Sequence, residues 1–299
     1  MNYWTHYLRC VYAKRTIMIL KSLRTFFNNE LIGYYPDTEI ESFFNLLSED
    51  ILNLKRIAIS QNLYAVVSGK KYERFQKAIA KLKNYEPIQY ILGNTEFYGL
   101  IFEVNPSVLI PRPETEELVS WIIDDCEDRQ DICVLDIGTG SGCIAISLAK
   151  NLKHAKVYAL DVSEDALKLA KLNASKNEVD IEFIEADILD CDLGNIKFDV
   201  IVSNPPYVRE LEKEAMSANV LNHEPPLALF VKDDDALLFY RKIAEISENI
   251  LKPNGQLYFE INESLGEPTK ELLANNSYNN IELKMDIVEK DRMIKAIKR

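Results

Sequence analysis

From Pro113 onward, short apolar runs alternate with helix-patterned stretches, and this alternation limits the fold more than any other feature. Cys133-Val134-Leu135-Asp136, Val157-Tyr158-Ala159-Leu160, Ile181-Glu182-Phe183-Ile184, Phe198 to Val202 and Gln256 to Ile261 read as strands. Helices are expected from about Ser141 and from Glu164. Strands that are apolar almost throughout must be covered on both faces. The pattern therefore predicts an α/β fold, a parallel sheet between layers of helices. The stretch from Ile281 to Ile297 holds two more strand candidates and predicts a terminal hairpin. No internal repeat or low-complexity segment interrupts the pattern.

Upstream, residues from about 17 to 85 read as helical. Ile40, Phe43, Phe44, Leu47 and Ile51 keep the i, i+3, i+4, i+7, i+11 spacing of one helix face. Asp37 or Thr38, after Pro36, is the expected cap of that helix. Phe75, Ile79 and Leu82 repeat the spacing with lysines opposite, so a small helical bundle with a plain apolar core is expected. Gln89-Tyr90-Ile91-Leu92 and Leu100 to Val104 are β-rich runs, punctuated by Gly93-Asn94 and Asn105-Pro106, and predict a β-hairpin. The expected organisation is a helical domain (1–85), a β-hairpin linker (86–111) and an α/β domain (112–299). Arg9, Lys14 and Arg15 precede an apolar run, Ile17 to Leu20, that is too short for a signal-peptide core or a bilayer span. A solvated tail is expected there, with Met18 as an alternative start.

With 47 acidic and 35 basic residues, the formal net charge of the 299-residue chain is −12. Such a surface repels phosphate backbones and disfavours a large nucleic-acid footprint. The N-terminal tail and Lys81 to Lys83 are the basic exceptions. Cys10, Cys126, Cys133, Cys143 and Cys191 form no C-x-x-C pair, and His6, His154 and His223 are far apart. Neither a disulfide framework nor a metal site is expected, and a reducing cytoplasm fits this usage.

Four stretches carry chemistry. Val134-Leu135-Asp136-Ile137-Gly138-Thr139-Gly140-Ser141-Gly142 takes a strand into a glycine-rich turn and then a helix. Glycines let backbone approach a ligand, and a helix N-terminus presents free N–H groups. The spacing is G-x-G-x-G, not the G-x-G-x-x-G of dinucleotide sites. A tight turn without a ligand has the same look, but three glycines after a strand-terminal acid favour a ligand. Asp161 ends the second strand, where a carboxylate can accept both ribose hydroxyls of a nucleoside. Ser163 is the better cap for the helix at Glu164, which leaves Asp161 for the ribose. In Glu185-Ala186-Asp187-Ile188, Asp187 can accept from an adenine amino group and Ile188 can cover a ring face. That segment alone fits a solvated loop equally well.

The fourth stretch is the most specific. Asn204-Pro205-Pro206-Tyr207 directly follows the strand that ends at Ser203. The prolines donate no N–H and stiffen the turn. They hold the Asn204 side chain and the Pro205 carbonyl as two fixed acceptors, which match the two N–H donors of a planar amide or aryl amine. Tyr207 can lie on the flat face of that group. Asn204, Pro205, Pro206 and Tyr207 are the candidate catalytic residues, with a merely rigid loop as the plainer alternative. The candidate cofactor residues are Gly138, Thr139, Gly140, Ser141, Gly142, Asp161, Asp187, Ile188 and Asn204.

Together these residues resemble the HemK/PrmC family, the release-factor glutamine N5-methyltransferases. The N-P-P-Y motif is shared with DNA adenine, DNA cytosine and some ribosomal RNA methyltransferases, but other stretches narrow the choice. Glu86-Pro87-Ile88-Gln89-Tyr90-Ile91-Leu92-Gly93, Leu109-Ile110-Pro111-Arg112-Pro113-Glu114-Thr115-Glu116, His223-Glu224-Pro225 with Ala228-Leu229, and Asp291-Arg292 are similar to family signatures. The likeness runs from about Met18 to the end. The chain departs from the family at Lys232-Asp233-Asp234-Asp235-Ala236, where a glycine-rich turn is usual, at Asn262 of Glu260-Ile261-Asn262, and at Glu289, where glycine is usual.

The resemblance implies a class I S-adenosylmethionine-dependent methyltransferase fold, Rossmann-like, with a seven-stranded, mostly parallel sheet. It also implies an N-terminal substrate-recognition domain. The implied cofactor is S-adenosyl-L-methionine. The implied substrate is the glutamine of the Gly-Gly-Gln tripeptide in class I peptide chain release factors. A cytoplasmic monomer with no membrane or direct nucleic-acid partner is expected.

An amide nitrogen is a poor nucleophile, because its lone pair is delocalised into the carbonyl. A sulfonium methyl is already activated, so the enzyme's task is placement. Positioning of this kind contributes about 7–11 kcal/mol in favourable cases. Acceptors fixed near the nitrogen also stabilise the positive charge that develops on it. No general base is assigned. Other targets for the same chemistry are a ribosomal-protein glutamine or adenine in nucleic acid. A non-catalytic cofactor-binding scaffold is the alternative of another class, and the intact glycines, Asp161 and N-P-P-Y argue against it.

Overall fold

The computed structural model describes residues 18–299. The basic tail, His6 and Cys10 lie outside the described residues. The chain divides into two compact units between Leu92 and Gly93.

The first unit holds β1 (Met18–Ile19), α1 (Leu20–Leu31), α2 (Asp37–Leu52), α3 (Arg56–Gln61), β2 (Val66–Val67), α4 (Gly69–Lys83) and α5 (Ile88–Leu92). The stripe Ile40, Phe43, Phe44, Leu47 and Ile51 is the buried face of α2. Phe27 of α1 meets Phe44 and Phe75 of α4 with ring centroids 5.4 and 6.2 Å apart.

Three local expectations change. Pro36, not Asp37 or Thr38, occupies the cap of α2, and no side chain caps it. Asp37 and Glu39 fall in the first turn, where their charge favours the positive helix end. Met18–Ile19 and Val66–Val67 pair as a short antiparallel ladder within the region read as helical. The strand expected at Gln89 to Leu92 is α5, which follows Pro87 and buries Ile88 and Tyr90. Four apolar residues are too few for periodicity to separate a strand from a helix.

The second unit opens with the hairpin β3 (Asn94–Phe97) and β4 (Leu100–Glu103), which belongs to this unit rather than standing apart as a linker. α6 (Pro113–Cys126), β5 (Cys133–Ile137), α7 (Cys143–Asn151), β6 (Lys156–Asp161), α8 (Glu164–Lys176), β7 (Ile181–Glu185) and β8 (Phe198–Ser203) follow. Short pieces come next: β9 (Val208–Arg209), a 3-10 turn (Glu210–Ala215), α9 (Ala218–His223), α10 (Pro226–Leu229) and β10 (Phe230–Val231). α11 (Leu238–Ile250), β11 (Leu251–Glu260), α12 (Gly266–Asn275), β12 (Tyr278–Met285) and β13 (Asp291–Lys298) complete the unit.

One seven-stranded sheet runs in the order β12-β13-β11-β8-β5-β6-β7. Every pairing from β11 to β7 is parallel, and β13 is antiparallel to both its neighbours. Alternate residues feed two cores, as the strand pleat requires. Val134, Val200, Val202 and Tyr258 pack with Leu118, Ile122, Ala145 and Leu148 of α6 and α7. Leu135, Ile201, Leu257 and Phe259 pack with Tyr240, Ile243 and Leu273 of α11 and α12. Burial on both faces explains the nearly continuous apolar runs.

The departures from the family pattern have local answers. Glu289 sits in the β12–β13 turn at φ 61°, the left-handed region that glycine adopts without cost. Asp286 steadies that turn by accepting from Val288 N and Lys290 N, both at 3.0 Å. Asp235 is held in a two-bond pair with Arg241 at 2.8 and 2.9 Å. Asn262 accepts from Ser264 N at 3.0 Å.

A buried asparagine ties the hairpin to the sheet layer. Asn173 of α8 accepts from Glu103 N at 2.7 Å and donates to Glu103 O at 3.0 Å and Ser141 O at 2.9 Å. It thereby joins β4 and the turn before α7. Asn173→Ala strands these three backbone groups. The variant is expected to lose about 2–3 kcal/mol of stability, read as a lower denaturant midpoint. An unchanged midpoint would show that water replaces the clasp without cost.

Candidate active site

The sheet order reverses at β5, which is flanked by β6 on one side and β8 on the other. Strand carboxyl ends diverge at such a point and leave a crevice for ligands. A cavity of about 480 Å³ lies there. Gly138, Thr139, Gly140 and Ser141 line it from the turn after β5, Asp161 from the end of β6, and Asp187 and Ile188 from the end of β7. Asn204, Pro205 and Pro206 line it from the end of β8. Residues read separately along the sequence thus share one cavity.

The turn after β5 is built for close approach. Gly138 and Gly140 have φ of 73° and 55°, and a Cβ on either would project into open space. Backbone without side chains therefore faces the cavity. Gly142 works differently. It does not line the cavity, its φ is 83°, and a Cβ there would come within 2.9 Å of Ile146 and 3.3 Å of Ala170. Its conformation and the tight packing of α7 on α8 require glycine, so Gly142 has a packing need besides the cofactor contact expected of it.

Asp136, at the end of β5, is fully buried. One of its oxygens accepts from Thr139 Oγ1 at 2.6 Å and Ala145 N at 3.2 Å, and the other has no partner. Burial pushes its carboxyl up to about 7, against the pull of those two hydrogen bonds.

Ser163 caps α8 as expected, accepting from Ala166 N at 3.2 Å. Asp161 is not left idle by this. Its oxygens accept from Gly140 N at 2.8 Å and Ser163 N at 2.9 Å. These bonds orient the carboxylate, and each oxygen keeps a further lone pair for a donor in the cavity. Asp187, which is exposed, accepts from Leu189 N at 2.9 Å in a local turn.

Ser203 donates to Ile137 O at 2.7 Å and locks the end of β8 to the end of β5. The N-P-P-Y loop starts from that lock. Tyr207 lies beside the cavity rather than along its wall, and its hydroxyl donates to Glu260 Oε1 at 3.4 Å. Burial and the Glu260 charge raise the Tyr207 phenol above its ordinary value, so the hydroxyl stays a donor.

Sequence reasoning left four residues of this region without a role: Arg112, Thr115, Glu224 and Glu260. Arg112 and Thr115 line the cavity. Glu224 is buried, accepting from Arg112 Nη2 at 2.5 Å and from Ile110 N at 3.3 Å. Glu260 is buried and accepts from Thr115 Oγ1 at 2.6 Å. The signature stretches around positions 112, 224 and 260 were the available signal. Nothing along the chain shows that these stretches meet.

Comparison with known proteins identifies the framework. Residues 118–230 match the family described as methyltransferase small domain, and residues 31–93 match the PrmC N-terminal domain. The release factor glutamine methyltransferase of Flavobacterium psychrophilum is 52% identical over 282 residues, spanning 93% of this chain and 99% of that one. This chain belongs to the release factor glutamine methyltransferase family. The Bacteroides thetaiotaomicron member is 43% identical over 278 residues, again spanning 93% of this chain and 99% of that one. A solved protein-(glutamine-N5) methyltransferase from Alicyclobacillus acidocaldarius aligns with a TM-score of 0.40 and 25% identity, over 66% of this chain and 99% of that one. The family places the chain among the class I S-adenosylmethionine-dependent methyltransferases, and the seven-stranded sheet is that fold.

The residues present fit this cofactor. Bare glycine backbone at Gly138 and Gly140, the oriented carboxylate of Asp161, and Asp187 with Ile188 all line the one cavity and leave room and acceptors for such a group. Asp161→Ala removes a charged acceptor and also frees Gly140 N. S-adenosylmethionine affinity is expected to fall by about 1.5–3 kcal/mol in calorimetry. Unchanged affinity would remove Asp161 from the binding set.

Proposed function

We propose that this enzyme methylates N5 of the glutamine in the Gly-Gly-Gln tripeptide of class I peptide chain release factors. The observation that carries this reading is the convergence of the N-P-P-Y loop and the glycine turn on one cavity. Family membership narrows the amide to that glutamine. Gly138, Thr139, Gly140, Ser141, Gly142, Asp161, Asp187, Ile188 and Asn204 hold S-adenosylmethionine, which when bound supplies an activated sulfonium methyl. The Asn204 side chain and the Pro205 carbonyl accept the two amide N–H bonds and hold the nitrogen in one orientation. Ser203 and the two prolines keep those acceptors from drifting, so orientation is set before substrate arrives. The same acceptors stabilise positive charge on the nitrogen. The proton leaves afterwards to water, and no side chain is assigned as base.

The enzyme acts as a cytoplasmic monomer on a protein target, in keeping with its net charge of −12. No helix among the described residues is long and apolar enough to cross a membrane. The first unit recognises the body of the protein substrate. A chain starting at Gly93 is expected to bind cofactor but to lose most activity on intact release factor. Full activity of that shortened chain would assign recognition elsewhere.

The test is methyl transfer from labelled cofactor to release factor, ribosomal protein and DNA in parallel. Release factor is the expected acceptor, and preference for either of the others would replace the proposed target. Cofactor binding with no transfer to any of the three would support a scaffold. Asn204→Ala is expected to lower turnover by about 100-fold or more, as loss of a positioning acceptor does. Asn204→Asp still offers an acceptor and is expected to keep part of the activity. Equal loss in both variants would give the loop a purely structural role.

A further inference from the structure

Glu260 is a charged side chain that the mechanism above leaves without a task. It ends β11, where Phe259 pairs with Ser203, so it lies one step from Asn204 across the sheet. Only 2% of its surface is exposed. Burying an ionised carboxylate is costly unless its oxygens are satisfied. No cation forms an ion pair with Glu260 among the described residues; two hydroxyls satisfy it instead. Thr115 Oγ1 donates to Oε2 at 2.6 Å, and the Tyr207 hydroxyl donates to Oε1 at 3.4 Å. The Tyr240 hydroxyl holds the backbone of the same residue, donating to Glu260 O at 3.3 Å. Thr115 belongs to the first turn of α6 and lines the cavity, while Tyr207 closes the N-P-P-Y loop. A single carboxylate thus joins two sides of the space that the substrate amide must enter.

We propose that Glu260 is a positioning residue for methyl transfer, fixing the Asn204-Pro205-Pro206-Tyr207 loop against the start of α6 by accepting the Thr115 and Tyr207 hydroxyls as a carboxylate. Both oxygens must accept. A glutamine has the same shape but turns one acceptor into an NH2 donor, so one hydroxyl loses its partner. Loss of the Tyr207 tie lets the loop drift, and with it the Asn204 and Pro205 acceptors. Apart from Asn204, the cofactor residues lie beyond the ends of β5, β6 and β7, away from this tie.

The surroundings make the acceptor state depend on pH. Burial raises the Glu260 carboxyl above the usual carboxylate range, opposed by the Thr115 hydroxyl, the Arg292 charge of β13 and the Tyr207 hydroxyl. Glu114 of α6 adds to the rise. Cys143 of α7 and Tyr240 of α11 also face it, both with their own ionisation pushed up by burial. A raised carboxyl takes up a proton as pH falls. The protonated form accepts less, so turnover falls on the acid side.

This inference rests on the glutamine-methyltransferase reading, which wild-type transfer to release factor tests in the same assay. Failure of the wild type would count against that reading, and the variant-to-wild-type ratio decides the role of Glu260. For Glu260→Gln, kcat is expected to fall by about 10–100-fold, as a small misplacement of reacting groups does. S-adenosylmethionine affinity is expected to stay within about two-fold of wild type. The acid limb of the kcat–pH profile should vanish in Glu260→Gln and persist at lower kcat in Glu260→Asp. Tyr207→Phe should also lower kcat, and adding Glu260→Gln to it should cost little more, because both break the same tie. If Glu260→Gln does not fold, Tyr207→Phe and Thr115→Val carry the test. Each leaves the carboxylate in place, and each should lower kcat with cofactor affinity intact. Unchanged kcat and an unchanged acid limb in Glu260→Gln would overturn the proposal. So would losses that multiply in full when Glu260→Gln and Tyr207→Phe are combined.

Discussion

Parallel pairing of β5 with both β6 and β8 is the constraint from which the site follows. Parallel strands all end on the same edge, so the polar turns after β5, β6, β7 and β8 emerge side by side. The chain fills one half of the sheet before crossing to β8, and at that reversal no connection covers the crevice. Gly138, Asp161, Asp187 and Asn204 are far apart in sequence but share this edge. Covering both sheet faces with helices supplies the rigidity. Each strand end is held by two apolar cores, and the reactive loops are short extensions of them.

Several carboxylates in this framework serve structure before ligand. Asp161 holds Gly140 N and Ser163 N, Asp136 holds Thr139 and Ala145, and Glu224 holds Arg112 and Ile110. An acceptor with two oxygens and several lone pairs can tie two loops and still face a cavity. This explains why an acidic chain concentrates buried acids near one site. They cross-link strand-end loops that have no sheet hydrogen bonds of their own.

Where the sequence was misread, the cause is short-range ambiguity or a missing partner. Gln89 to Leu92 looks extended because it is apolar and short, yet a preceding proline and two buried side chains make it helical. Asp37 looks like a cap because acids often are, but Pro36 already holds that position. Gly142 looks like part of the ligand turn because it shares the glycine spacing. Spacing does not reveal that Ile146 and Ala170 also require glycine there, because Ala170 lies on a different helix.

The sequence by itself determined the strand and helix alternation, the parallel sheet, the glycine turn, the N-P-P-Y loop and the family. Each of these is local: a period of apolar residues, a conformational need for glycine, or a run of prolines that stiffens its own backbone. Only the tertiary structure decided that Glu260 lies between Thr115 and Tyr207, that Glu224 holds Arg112, and that Asn173 clasps the hairpin to the turn before α7. Those contacts join residues dozens of positions apart or more. Their distances depend on how the strands pair and the helices pack, and no pattern within a single stretch of chain encodes that.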